Sequence, residues 1–294
     1  MLRYPSSFVT AAYRQVRLVP RDSGAWPLAL FTKPSEKIIF QTFSEVIHLD
    51  DVVKRVNNGI MPESQELNLS FEELVTEGAS ALGLSLGNDM VASLRSYGEE
   101  ILFWNRSVNL VFAKTLNDLA VRHFIDSLTV LPLLPRKPFS LLDMGTGAGL
   151  PGIPLKMERP DAAVFLVDAS RKKTSFLKQV IRKVGLAGIQ AEQGRIEDWI
   201  SRGIHRTAFD IVLSRATFHL PLFLDRASRF VKDSGSIIAM KGKSFRDELK
   251  DAEKTLFEKN LVLAGHVPLF LPFIQEERHL LVFRIRGERG SREL

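Results

Sequence analysis

Apolar residues recur at helical spacing three times between residues 61 and 135. Ser70 and Glu73 stand at capping-box spacing, with Leu69 and Leu74 placed as a hydrophobic staple; together they predict a helix over 71–81, ended by Gly83. Met90, Leu94, Tyr97, Ile101 and Trp104 alternate steps of four and three, which is one apolar face of a second helix over 89–104. Ala120, Phe124, Leu128 and Leu131 mark a third, over 117–131.

From Ser140 onward the pattern alternates. Short apolar runs at 140–143, 163–168, 189–193, 209–214 and 236–241 read as strands, each followed by a turn or helical pattern; the helix after the second run starts at Ser170 and closes at Gly185. Runs at 261–266 and 279–286 have no helix between them. This alternation predicts an α/β fold, a doubly wound and mostly parallel sheet with an antiparallel C-terminal edge. The chain then divides into an N-terminal extension (1–60), a small helical cap (61–135) and an α/β domain (136–294). Pro5, Pro20, Pro27 and Pro34 break every pattern in the extension, which is expected to be poorly ordered.

Charge sharpens this division. The net +6 is the sum of three unlike parts: residues 1–60 hold 8 Lys/Arg against 5 Asp/Glu, residues 61–135 hold 4 against 10, and residues 136–294 hold 28 against 19. An acidic cap precedes a basic domain, and a basic domain suits a polyanionic partner without requiring one. There are no cysteines, so disulfides, thiolate metal sites and cysteine nucleophiles are excluded, and the six histidines show no metal-ligand spacing. No metal is expected. Apolar runs fall short of a membrane span and no secretory signal opens the chain, so a cytoplasmic location is expected; a monomer is expected as well.

The sharpest feature follows the first strand: Asp143, then Gly145, Gly147, Gly149, Leu150 and Gly152. Alternate glycines let the backbone turn tightly and approach a ligand at the start of a helix. Gly147, Gly149 and Gly152 also satisfy the dinucleotide pattern G-x-G-x-x-G, and an NAD-dependent oxidoreductase is therefore a competing reading. An acid at Asp143 would repel a pyrophosphate but suits a ligand with an ammonium group, which favours S-adenosylmethionine. Asp168, ending the second strand, is placed to accept hydrogen bonds from ribose hydroxyls under either reading.

Arg195, Ile196 and Glu197 follow the third strand, as an adenine contact or an ordinary helix start. Without a thiol, methylation of cytosine carbon 5 is excluded. Where exocyclic-amine methyltransferases carry Asp/Asn-Pro-Pro-aromatic, the chain reads Ser214-Arg215-Ala216-Thr217. Arg215 suits a phosphate or a guanine edge, or an internal ion pair. Lys241, Lys243 and Arg246, with Arg171, Lys172 and Lys173, are candidates for a basic rim, each of them equally an ordinary solvated side chain.

Taken together, these segments resemble the bacterial small-subunit ribosomal RNA methyltransferase family RsmG, or GidB. The resemblance is carried by Trp104-Asn105, Asn109-Leu110, Val121 to Ser127, the loop from Asp143 to Pro154, Arg195-Ile196-Glu197, Ser214-Arg215-Ala216, Lys241-Gly242 and Glu277 to Leu280. It implies a Rossmann-like S-adenosylmethionine-dependent methyltransferase fold and methyl transfer to guanine nitrogen 7 in a decoding-region loop of 16S ribosomal RNA. It further implies cofactor contacts from Gly145, Leu150, Ile196, Glu197 and Arg215, and a pocket closed by Asn105, His123 and Asp126, with Arg195 and Lys241 as further substrate contacts. Val108 and Ala169 depart from the pattern, where an aromatic and a serine are usual. Residues 1–60 match nothing in the family, and a family-like start near Met61 makes them an expected misread of the gene start. Methylation of another RNA, or a non-catalytic ribosome-assembly role, stays open at this point.

Overall fold

The computed structural model describes residues 69–287; what is expected of residues 1–60 lies outside them. Helix α1 (Phe71–Ala81) is closed at its start by the full Ser70–Glu73 capping box, and α2 (Asn88–Asn105) buries Leu94, Tyr97 and Ile101. The third predicted helix is one continuous rod of three parts: α3 (Leu116–Leu119), a π-helical turn (Ala120–Phe124) and α4 (Ile125–Leu128). In the π turn the Ile125 N–H donates to the Ala120 carbonyl, five residues back. Such an extra residue per turn is invisible to a 3.6-residue period and is frequent at functional sites.

The α/β part runs β1 (Ser140–Met144), α5 (Gly152–Glu158), β2 (Ala163–Asp168), α6 (Arg171–Val184), β3 (Ile189–Gln193), α7 (Ile196–Arg202), β4 (Phe209–Arg215), α8 (Leu220–Ala227), β5 (Val231–Lys241), α9 (Phe245–Asp251), α10 (Glu253–Glu258), β6 (Leu261–Phe270) and β7 (Glu277–Ile285). The sheet order is β3-β2-β1-β4-β5-β7-β6, parallel through β5 and antiparallel at β7 and β6. Both halves of the sequence expectation hold, and each of the seven strands overlaps its apolar run, with β5 starting five residues earlier than expected and β6 ending four residues later.

Alternate residues of each strand face opposite sides, so Leu141 and Leu142 enter different cores. One core joins Leu141, Leu166 and Leu213 to α1–α4, α5 and α6; the other joins Leu142, Val167 and Val212 to α7 and α8. The N-terminal helices therefore share a continuous core with the sheet. Strand order reverses between β1 and β4, which opens a crevice beyond the carboxyl ends of those strands.

Candidate active site

The glycine loop leaves β1 at this crevice and is tied down on every side. The N–H groups of Gly145 and Thr146 both donate to the Val167 carbonyl, at 2.9 and 3.1 Å. From the end of β4, the Thr217 hydroxyl donates to the Gly145 carbonyl at 2.8 Å and the Ser214 hydroxyl to the Met144 carbonyl at 2.9 Å. From α2, the Tyr97 hydroxyl donates to the Ala148 carbonyl. Tyr97 is fully buried and stacks on Phe124, with ring centroids 5.3 Å apart. Burial holds its phenol well above the usual range, so it stays a neutral donor. The helical layer thus reaches the loop directly, a contact that periodicity assigns only to core packing.

Asp143 is fully buried behind the loop. Its Oδ2 accepts from the Thr146 hydroxyl at 2.7 Å and the Gly152 N–H at 2.9 Å, while its Oδ1 is buried without a hydrogen-bond partner. Burial raises its pKa to about 6; the bonds to Thr146 and Gly152 and the Arg215 guanidinium pull the other way, and Asp168 adds to the rise. At neutral pH Asp143 is therefore a buried anion with one oxygen to spare, an expensive arrangement that a cationic donor relieves. Asp168, half-buried at the end of β2, accepts the Gly147 N–H at 3.0 Å on one oxygen and the Ser170 N–H at 2.8 Å on the other. Each oxygen keeps a second lone pair for a ligand hydroxyl.

The loop glycines differ in what surrounds them. Gly145 has φ +68° and a Cβ there would lie 2.3 Å from Thr217 Cγ2. Gly147 has φ +61°, and a Cβ there would meet nothing within 4 Å. Gly147 thus presents open backbone between Asp143 and Asp168, where a ligand has room to approach.

Facing this cradle is a charged chain that the sequence does not reveal as a unit. Arg215, ending β4, donates to Asp126 Oδ2 at 3.1 Å and to His123 Nδ1 at 2.9 Å. Arg278 Nε lies 3.3 Å from the other Asp126 oxygen, an ionic contact outside hydrogen-bond geometry, which is why Oδ1 of this 3% exposed carboxylate has no hydrogen-bond partner. Arg278 also donates to Glu276 at 2.8 Å, and Glu276 in turn pairs with Arg122. His123 Nε2 stands 3.4 Å from the Phe112 carbonyl. Burial, then the charges of Arg215, Arg122 and Arg278, lower the His123 pKa to about 4.

Other expected residues serve differently. Lys241 is not on a basic rim: it is 8% exposed, and its ammonium donates to Glu248 and to the Phe218 carbonyl, both at 2.6 Å. A lysine this deep is stable only with such partners. The Asn105 amide is spent on the Leu110 and Val111 N–H groups and the Val111 and Ala113 carbonyls, so it holds the loop that follows α2. The side chains of Leu150 and Ile196 are both 4% exposed and packed in the cores, which leaves only their backbone to a ligand. Glu197, half-exposed, pairs with Arg226, and Arg195 is exposed at the N-cap of α7. A cavity lined by Leu82, Leu131, Pro132, Glu158 and Arg159 lies at the far end of α5 and contains no residue of this site.

The family model for GidB, rRNA small subunit methyltransferase G, matches residues 90–281, which takes in every residue of the cradle and the charged chain. A ribosomal RNA small subunit methyltransferase G of Syntrophus aciditrophicus is 38% identical over 212 residues, 72% of this chain and 88% of that one. Its counterpart in Syntrophotalea carbinolica is 39% identical over 214 residues, 73% of this chain and 96% of that one. The chain belongs to the GidB family. As expected of a member, its fold is the Rossmann-like S-adenosylmethionine-dependent methyltransferase fold, it is a methyltransferase, and S-adenosylmethionine is its cofactor. The dinucleotide reading of Gly147, Gly149 and Gly152 is set aside. A solved SAM-dependent methyltransferase from Aquifex aeolicus aligns at TM-score 0.44 and 17% identity, over 54% of this chain and 89% of that one.

Proposed function

We propose that this protein methylates nitrogen 7 of a guanine in the decoding-region loop of 16S ribosomal RNA, acting as a monomer in the cytoplasm on the small ribosomal subunit. The observation that carries this reading is the commitment of His123. Arginine only donates hydrogen bonds, so the His123 nitrogen facing Arg215 must carry the lone pair and the other nitrogen the proton. That lone pair is already occupied. His123 is therefore a poor general base, and Asp126 is held between two arginines. An acceptor that must lose a proton is badly served by such a site. Guanine nitrogen 7 has a free in-plane lone pair and needs no base.

Bound S-adenosylmethionine supplies a methyl group made electrophilic by its sulfonium. The chain's own residues do the rest by positioning and charge. Asp143 would draw the ammonium to the loop through its buried charge, Asp168 would hold the ribose hydroxyls, and the open backbone at Gly147 would let the ligand lie against the loop. Arg215 reaches for the guanine edge or a neighbouring phosphate. Arg171, Lys172 and Lys173 support an RNA substrate: they fill the first turn of α6, where the helix dipole disfavours cations. Local stability does not select that arrangement, and a phosphate backbone relieves it. All of these groups come from one chain, and no helix among the described residues is long and apolar enough to cross a membrane.

The test is incubation with radiolabelled S-adenosylmethionine and small subunits that lack the modification. Label in 16S ribosomal RNA supports the reading, and label confined to protein or absent altogether contradicts it.

A further inference from the structure

Phe112 stands in the loop between α2 and α3 with 87% of its surface exposed, the most exposed large apolar residue among the described ones. Single apolar residues on a surface are ordinary. This one differs in how its backbone is held. The Asn105 amide bonds Val111 on one side, accepting its N–H at 3.3 Å and donating to its carbonyl at 2.8 Å, and Ala113 on the other, donating to its carbonyl at 3.4 Å. The Phe112 carbonyl faces His123 Nε2, and the same imidazole holds Arg215 through its other nitrogen. One ring thus couples the Phe112 backbone to the proposed substrate arginine.

The charge around Phe112 runs against that of its region. Residues 61–135 hold ten acids and four bases, yet Arg106, Lys114 and Arg122 all lie between residues 101 and 124, with Asp118 as the single acid there. The Asp118 carboxylate is occupied by the N–H groups of Lys114 and Thr115. Arg106 and Lys114 are exposed, and Arg106 lies over the ring of Phe103, itself 60% exposed. This acidic region therefore gathers its bases on the segment that carries Phe112; of these, Arg122 is paired with Glu276, and Arg106 and Lys114 stay exposed on the Phe112 loop.

An exposed aromatic ring whose backbone is held, with exposed cations on the same loop, is the combination that binds unpaired nucleotides, by base stacking and phosphate pairing. We propose that Phe112 is a stacking platform for an unpaired base of the RNA substrate, next to the methylated guanine. The proposal rests on the RNA-methylation reading and assigns it a substrate contact: single-stranded rather than duplex RNA.

The experiment uses the full chain with Phe112→Ala, Phe112→Leu and Phe112→Trp. Two readouts are taken: affinity for a fluorescein-labelled, guanine-containing single-stranded oligoribonucleotide, and methyl transfer to unmodified small subunits. The expected result is an RNA affinity loss of about tenfold or more for Ala and Leu, with Trp near wild type, because stacking needs a ring. Cofactor affinity stays unchanged, and KM for the subunit rises with kcat largely kept. Wild-type RNA affinity in the Ala variant overturns the proposal. So does full rescue by Leu, or a defect seen on intact subunits and absent on naked RNA, which assigns the ring to a protein partner. If the wild-type protein transfers no methyl group to 16S ribosomal RNA, the functional reading fails, and the oligoribonucleotide arm still decides the platform by itself.

Discussion

Arg215 donates a hydrogen bond to Nδ1 of His123 at 2.9 Å, and this one contact fixes the protonation of the imidazole. With Nδ1 accepting, the proton sits on Nε2, facing the Phe112 carbonyl at 3.4 Å. Protonating Nδ1 sets a cation against Arg215, which adds to burial in lowering the pKa to about 4. The unfolded chain binds that proton first as pH falls. His123 therefore contributes stability that is complete above pH 6.5 and lost as pH drops from 6.5 to about 4. Nitrogen-15 spectra are expected to show a neutral Nε2–H tautomer at pH 6, with titration near 4; an imidazolium at pH 6 contradicts the assignment.

Asp143 shows the opposite linkage. Its folded pKa of about 6 exceeds the ordinary 3.8, so the ligand-free folded state takes up the proton first as pH falls. The contribution of this group to ligand-free stability is largest below pH 4 and is lost as pH rises towards 6. Cofactor affinity runs the other way, because protonation removes the charge that meets the ammonium. Calorimetry is expected to show binding weakening below pH 6. Asp143→Asn is expected to weaken S-adenosylmethionine binding on the order of 10-fold, by removing the buried charge that attracts the ammonium, and to remove this pH dependence. Unchanged affinity in that variant refutes the ammonium assignment.

Two glycine substitutions separate strain from ligand contact. Gly147→Ala costs about 1–2 kcal/mol for a left-handed residue with a side chain, since its Cβ meets no protein atom. Its larger effect is expected on cofactor affinity, where the methyl group fills the approach to the loop. Gly145→Ala adds a clash with Thr217 to the same backbone strain, so its stability loss is the greater of the two. Denaturant melts and calorimetry on both variants check the order; equal affinity in Gly147→Ala and wild type contradicts the proposed ligand path.

Much of this was legible in the residues themselves. Hydrophobic period and caps placed α1, α2 and all seven strands, because each is a local pattern buried on a regular face. The Asp143 loop was readable for the same reason, since glycine spacing and an acid at a strand end are local. What escaped were contacts between elements distant in sequence. Tyr97 reads as one more core position until the fold brings it to Ala148, 51 residues on. Arg278 lies in the Glu277–Leu280 stretch that carries the resemblance, but no local pattern pairs it with Asp126, and only the antiparallel edge brings the two together. Lys241 failed conversely: a lysine at a strand end looks solvated until α9 supplies Glu248.

Tyr97→Phe tests the link between the helical layer and the loop. It keeps the stacking on Phe124 and removes the hydroxyl that satisfies the Ala148 carbonyl. The cost is expected to be about 1–3 kcal/mol in denaturant unfolding. Cofactor affinity is expected to fall with it, whereas the midpoint alone should move if the contact serves only packing.

The central claim is that this site methylates a nucleophile that needs no base. It is tested most directly by the position of the methyl group. Small subunits lacking the modification are incubated with the protein and labelled S-adenosylmethionine, and the 16S ribosomal RNA is then cleaved by borohydride and aniline, which break the chain at 7-methylguanosine. The account predicts one cleavage, at a guanine of the decoding region, coincident with the label. Label at an exocyclic amine, at a ribose hydroxyl or at a pyrimidine carbon would contradict it.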